Sequence, residues 1–179
     1  MRTLFTEEQV QEAVRRIAGE IGERYQARPL TLLGVTSGSL IFLADLIRRL
    51  DMPLRVKMIQ ARKYVHHEMR PGPLVFNLDL LEPDVRDRNV LLIDGILDTG
   101  ERLGELVQQI DELGPASLRS VVLMWKKGRA QVPVKPDLVG FEIPNEYVVG
   151  YGLQYMGLYR NLPSVEVLEP DDMAKESPA

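Results

Sequence analysis

Apolar positions along this chain follow two periods, and the changes between them mark its elements. Thr6-Glu7-Glu8-Gln9 reads as a capping box, after which Val10, Val14, Ile17 and Ile21 recur at helical spacing, predicting a helix to about Gln26. Residues 29–35, "PLTLLGV", are a short continuous apolar run of the buried-strand kind. The run breaks at Thr36-Ser37-Gly38-Ser39, and "LIFLADLIRRL" resumes the helical pattern. "LRVKMIQA", 54–61, alternates like a second strand, and 62–73, "RKYVHHEMRPGP", carries no core pattern and reads as a loop. "LVFNLDL", 74–80, predicts a strand framing that loop. A fourth strand at 89–93 leads through a polar loop into a helix from Arg102 to about Leu113. "SLRSVVLMW", 117–125, is another buried strand, and "DLVGFEI" and "YVVGYGL" complete the sheet or a hood above it. The polar tail, 169–179, is expected to be disordered.

Strands alternating with helices predict one α/β domain with a mostly parallel central sheet. Ligands in such sheets bind beyond the carboxyl ends of the strands, where connections diverge. The 179 residues suit a single hydrophobic core. The chain has no cysteine, which excludes disulfides and thiolate metal sites and fits a reducing cytoplasm. With 22 basic and 26 acidic side chains the net charge is −4, against wholesale nucleic-acid binding. No apolar run is long enough to span a membrane.

The candidate chemistry lies at residues 94–102, Asp94-Gly95-Ile96-Leu97-Asp98-Thr99-Gly100-Glu101-Arg102. A buried strand ending in a carboxylate, then Asp-Thr-Gly, then a helix can cradle a phosphorylated sugar. Loop amides and the helix N-terminus would face the phosphate, and Asp94 the ribose hydroxyls. Thr99 adds a hydroxyl, and Arg102 a two-pronged guanidinium. The competing reading is a tight strand–helix turn with Asp98 as N-cap, and on spacing alone the two are even.

"VLLIDGILDTGERL", 90–103, resembles the phosphoribosyl-diphosphate signature of the type I phosphoribosyltransferases. "GSLIFLADLIRRL", 38–50, and "VGFEIPNEYVVGYGLQYMGLYRNLP", 139–163, are similar to the hypoxanthine-guanine branch of that family. The resemblance implies the type I phosphoribosyltransferase fold over 1–168, with a small hood drawn largely from 1–28 and 126–168. It implies transfer of a 5-phosphoribosyl group from phosphoribosyl diphosphate to N9 of hypoxanthine or guanine, releasing pyrophosphate, in purine salvage. By the same resemblance Asp98 faces purine N7 as acid/base, and Asp94 together with 98–102 (Asp98, Thr99, Gly100, Glu101, Arg102) binds the phosphoribosyl group. Ser37, Gly38 and Arg160 meet pyrophosphate. Lys126 meets the 6-oxo group, Tyr147 stacks on the base, Val148 offers backbone groups, and Tyr64 belongs to a closing flap. Mg²⁺ is the implied cofactor and a cytoplasmic homodimer or homotetramer the implied assembly.

The chain departs from the family pattern at four positions. Gly95 stands where a second acidic residue is usual, and Gln154 where an aspartate holds the metal on pyrophosphate, leaving Asp94 and Gln154 as the metal-facing set. Glu101 brings negative charge to the phosphate loop, and Arg102 replaces a threonine. These departures keep open an alternative: a family member with impaired catalysis that binds purine nucleotides in a regulatory role. On that alternative, Gly95→Asp with Gln154→Asp should restore turnover. His66-His67-Glu68 is a weak metal candidate, because adjacent residues rarely converge on one ion. Arg62 or Lys63 could meet pyrophosphate from the flap.

Overall fold

A computed structural model of the chain describes residues 1–26, 28–60 and 78–175. The elements run β1 (Arg2–Phe5), α1 (Glu7–Tyr25), β2 (Leu30–Val35), α2 (Leu40–Ile47), β3 (Arg55–Ile59) and α3 (Leu78–Val85). They continue with β4 (Asn89–Leu97), α4 (Glu101–Asp111), β5 (Ser117–Trp125), a 3₁₀ turn (Lys127–Arg129), β6 (Leu138–Glu142), β7 (Val148–Val149), β8 (Val165–Val167) and α5 (Pro170–Lys175). Strands β3-β2-β4-β5-β6 form a five-stranded sheet in that order, every pairing parallel. The α/β class with a parallel central sheet flanked by helices is therefore present.

The continuous apolar runs have a simple cause. Successive strand residues point to opposite faces, and this sheet is covered on both. Leu32, Leu91, Ile93, Val121 and Leu123 pack with Val14, Ile17 and Ile21 of α1 and Phe42 and Leu46 of α2. Leu33, Val35, Val90, Leu92 and Val122 pack on the other face with Leu81 and Val85 of α3 and Leu103, Leu106 and Ile110 of α4. Helix α1 starts as its sequence predicts: Gln9 Oε1 accepts from the Thr6 amide at 2.9 Å, and the Thr6 hydroxyl accepts from the Gln9 amide at 3.4 Å.

Strands β1, β8 and β7 form a second, antiparallel sheet. The segments expected to build the hood thus divide, since β6 is the fifth strand of the main sheet. Three other expectations change. Leu78, Asp79 and Leu80 open α3 rather than extending a strand, and 74–77 lie outside the described residues. The alternation of Leu78 and Leu80 suggested a strand, but the buried pair is Leu81 and Val85, one helical turn apart; Leu80 is 76% exposed and Leu81 6%. The tail expected to lack structure forms α5 over its first part, with the Met1 ammonium 2.5 Å from Asp172. Finally, α4 is capped by Gly100 at φ 89°, not by Asp98, which leaves the Asp98 carboxylate free for other contacts.

Candidate active site

Loops at the carboxyl ends of β2, β4 and β5 face the small sheet and the turns that follow β7 across a cleft of about 320 Å³. The cleft is lined by Ser37, Gly38, Asp94, Asp98, Arg102, Lys126, Tyr147, Val148, Gln154 and Arg160, with Thr36, Ile96 and Leu153 between them. Thr99 and Gly100 line an adjoining cavity of about 210 Å³, which shares Asp94, Ile96, Asp98 and Arg102 with the cleft. Glu101 lines neither cavity. Tyr64, Arg62, Lys63 and His66-His67-Glu68 lie outside the described residues.

At one end of the cleft, Asp98 meets two cations. Lys126 Nζ lies 3.2 Å from its Oδ2, and Arg129 Nε lies 2.6 Å from its Oδ1. Oδ1 is buried, and the Arg129 guanidinium is its partner as an ion pair. Lys126 is itself buried, and its amide donates to Leu97 O at 2.9 Å, which ties the end of β5 to the end of β4. Tyr147 is half-exposed, with its ring edge-on to Tyr155 at 5.4 Å between centroids, and Val148 is buried in β7.

At the other end, Asp94 is 4% exposed. Its Oδ1 accepts from the Gly95 amide at 2.8 Å, and its Oδ2 meets Arg102 Nη2 at 2.5 Å. Burial pushes the Asp94 carboxyl up, and the Arg102 guanidinium and the Gly95 and Ile96 amides pull against it. The Thr36–Ser37 peptide is cis. Beside it, the Gly38 carbonyl is enclosed by two other glycines. A Cβ on Gly95 would come within 2.4 Å of Gly38 O, and one on Gly152 (φ 93°) within 2.8 Å. A side chain at position 95 would therefore require the Gly38 carbonyl to shift. Arg160 Nη1 donates to Gly152 O at 2.5 Å, and Gln154 Oε1 accepts from the Gly157 amide at 2.5 Å.

The phosphoribosyl transferase domain model matches residues 3–156. The chain is 34% identical over 168 residues to a hypoxanthine-guanine phosphoribosyltransferase of Staphylococcus aureus, which covers 94% of this chain and 93% of that protein. It belongs to the hypoxanthine-guanine phosphoribosyltransferase family. A crystal structure of a Staphylococcus aureus hypoxanthine phosphoribosyltransferase superposes with a TM-score of 0.84 at 32% identity, covering 96% of this chain and 94% of that one. The Trypanosoma cruzi hypoxanthine phosphoribosyltransferase, in a ternary complex with its substrates, gives 0.84 and 32% over 96% and 97%. The chain is also 35% identical to a bifunctional TilS/HprT protein of Listeria innocua, of which it spans 26%.

Measured against that family's pattern, the fold gathers every described residue singled out in the sequence except Glu101. It adds Arg129, which sequence reasoning missed. The 3₁₀ turn, closed by Arg129 N to Lys126 O at 2.9 Å, folds Arg129 back on Asp98. The run Lys126-Lys127-Gly128-Arg129 held the signal as a basic cluster at a strand end, but nothing in its spacing separated Arg129 from a solvated charge.

The described donors around the cleft do not fit a protein-held Mg²⁺. Among the described residues no group of three or more His, Asp or Glu could hold a metal. Asp94 is neutralised by Arg102, Asp98 is flanked by two cations, and the Gln154 amide oxygen is used by its own turn. A dication at Asp94 would have to displace a guanidinium.

Proposed function

We propose that this chain is a purine phosphoribosyltransferase that transfers 5-phosphoribosyl from phosphoribosyl diphosphate to hypoxanthine or guanine. The observation that carries the reading is the Asp98–Lys126 pair, Lys126 Nζ 3.2 Å from Asp98 Oδ2, in a cleft that Tyr147 and Val148 also line. A carboxylate can accept from a purine N7–H while the neighbouring ammonium donates to the 6-oxo group.

Lys126 Nζ then holds the 6-oxo group, Tyr147 stacks on the ring and the Val148 backbone meets the purine edge. Residues 98–102 take the 5′-phosphate, and Ser37, Gly38 and Arg160 take pyrophosphate. As N9 approaches C1 of the ribose, the bond from C1 to the pyrophosphate oxygen breaks and its electron pair leaves with pyrophosphate. Asp98 holds or takes the N7 proton as positive charge spreads from the sugar to the base. Positioning and water exclusion carry much of the barrier lowering, since both reactants are anchored at opposite ends of one cleft. Among the described residues no helix is long and apolar enough to cross a membrane; the family resemblance is what supports a cytoplasmic homodimer or homotetramer working in salvage.

The test is nucleotide formation by the purified chain. It receives phosphoribosyl diphosphate and, separately, hypoxanthine, guanine and xanthine, with and without Mg²⁺, and product is followed by chromatography. Inosine or guanosine monophosphate is the expected product. The absence of product from any base under either condition rejects the transferase reading.

A further inference from the structure

The phosphoribosyl end of the cleft is built around a cation that belongs to the chain. Three cationic side chains line the cleft, Arg102, Lys126 and Arg160, against two carboxylates, Asp94 and Asp98. Asp94 is too deeply buried to stay ionised alone, and Arg102, the second residue of α4, supplies its counter-charge. The guanidinium is only half-buried, 44% exposed, and it borders both the cleft and the adjoining loop cavity. Its two contacts among the described residues, Asp94 Oδ2 at 2.5 Å and Ile96 O at 3.5 Å, both use Nη2. The remaining donors of the planar fork are available to an anion. Among the described residues, two further positions offer a metal little: Gly95 carries no side chain, and Gln154 Oε1 accepts from the Gly157 amide.

We propose that Arg102, locked by Asp94, is the resident cation of the sugar-phosphate end. It does the charge-neutralising work there that would otherwise fall to a protein-held divalent metal. This inference rests on the transferase reading above and names how that same site recognises its anionic substrate: phosphoribosyl diphosphate binds without a metal held by the chain. An immobile guanidinium suits the task because it is always charged and is not lost to chelators. Its fixed pairing with Asp94 also presets the direction of its free N–H groups.

The test is calorimetric titration of the purified chain with phosphoribosyl diphosphate, in excess EDTA and in millimolar Mg²⁺. Wild type, Arg102→Thr and Arg102→Lys are compared, with thermal melts to confirm that each variant is folded. Wild-type affinity should change by less than about threefold between the two conditions. Arg102→Thr should lose about 30-fold in EDTA, the scale of a charged hydrogen bond, and regain part of it in Mg²⁺, because the freed Asp94 can then face a metal. Arg102→Lys should fall between, since it keeps the charge and loses the fork. A parallel titration of the protein alone with Mn²⁺, followed by electron paramagnetic resonance, should show no bound ion in wild type.

A wild-type affinity that collapses tenfold or more in EDTA, with Arg102→Thr tracking wild type, overturns this inference and leaves the transferase reading standing. Mn²⁺ bound tightly by the free wild-type chain overturns it as well. Failure of a folded wild-type chain to bind phosphoribosyl diphosphate in either condition removes the transferase reading, and this inference with it.

Discussion

The two ends of the cleft handle negative charge in opposite ways. At the base end, Asp98 is 41% exposed and meets two cations, Lys126 and Arg129. At the sugar-phosphate end, Asp94 is buried, and its oxygens are engaged by a backbone amide and by Arg102. The first carboxylate is open to a ligand, whereas the second serves to hold something else in place. Two acidic residues four positions apart on one strand end therefore have different chemistry, and their environments account for the difference.

The sharpest way to break this contrast is Asp98→Asn. It keeps the shape, removes the proton acceptor, and should lower kcat by about 10²–10⁴-fold while nucleotide affinity changes far less. Single-turnover kinetics beside nucleotide titration checks this; an equal loss in both would make Asp98 a binding residue only. Next in size is Gly95→Ala. The added methyl would lie 2.4 Å from Gly38 O, so the variant should lose about 2–3 kcal/mol of stability, read by urea unfolding. Unchanged stability would mean that the loop after β2 yields easily.

A third test addresses what props up the sugar-phosphate end from behind. Tyr151, in the turn that carries Gly152, donates to Asp45 Oδ2 at 2.6 Å, and Gln11 Nε2 donates to the same oxygen at 2.8 Å. Burial raises the Asp45 carboxyl, but the hydrogen bonds from Gln11, Tyr151 and Arg48 outweigh it and hold the group below its ordinary value. Burial and the Asp45 carboxylate push the Tyr151 phenol well above its own range. A depressed folded-state value contributes stability that is full above the unfolded value of about 3.9 and is lost as the pH falls through the folded one. Asp45→Asn should therefore cost about 1–3 kcal/mol near neutral pH, and the gap to wild type should close below about pH 4. Denaturant melts across pH measure it, and a pH-independent gap would contradict the linkage. The smallest effect belongs to Tyr147→Phe, which keeps the stacking face and loses only a 3.3 Å hydrogen bond from its hydroxyl to Gln154 O. KM for the base should move by about twofold or less, whereas Tyr147→Ala should raise it about tenfold.

Much of this molecule was legible before any coordinates. The capping box at Thr6 and Gln9, the apolar runs of β2, β4 and β5 and the Asp-Thr-Gly loop are local patterns, and local patterns survive folding when nothing opposes them. Where the chain was misread, two local patterns competed. Leu78 and Leu80 alternate like a strand, yet the helical spacing of Leu81 and Val85 won because that pair reaches the core. The short strand β1 was missed because its four residues carry little pattern of their own; pairing with β8, far along the chain, makes it a strand.

The sequence by itself determined the α/β class, the placing of candidate chemistry at strand ends and nearly all of the side chains that line the cleft. It also showed that position 95 lacks a carboxylate. Only the tertiary structure decided why: Gly38, Gly95 and Gly152, from three separate segments, meet around one carbonyl oxygen. The same holds for the pairing of Arg102 with Asp94 and for Arg129 at Asp98. Residue identity and periodicity are properties of a chain, whereas room for a methyl group and the partner of a charge depend on which distant segments arrive at the same place.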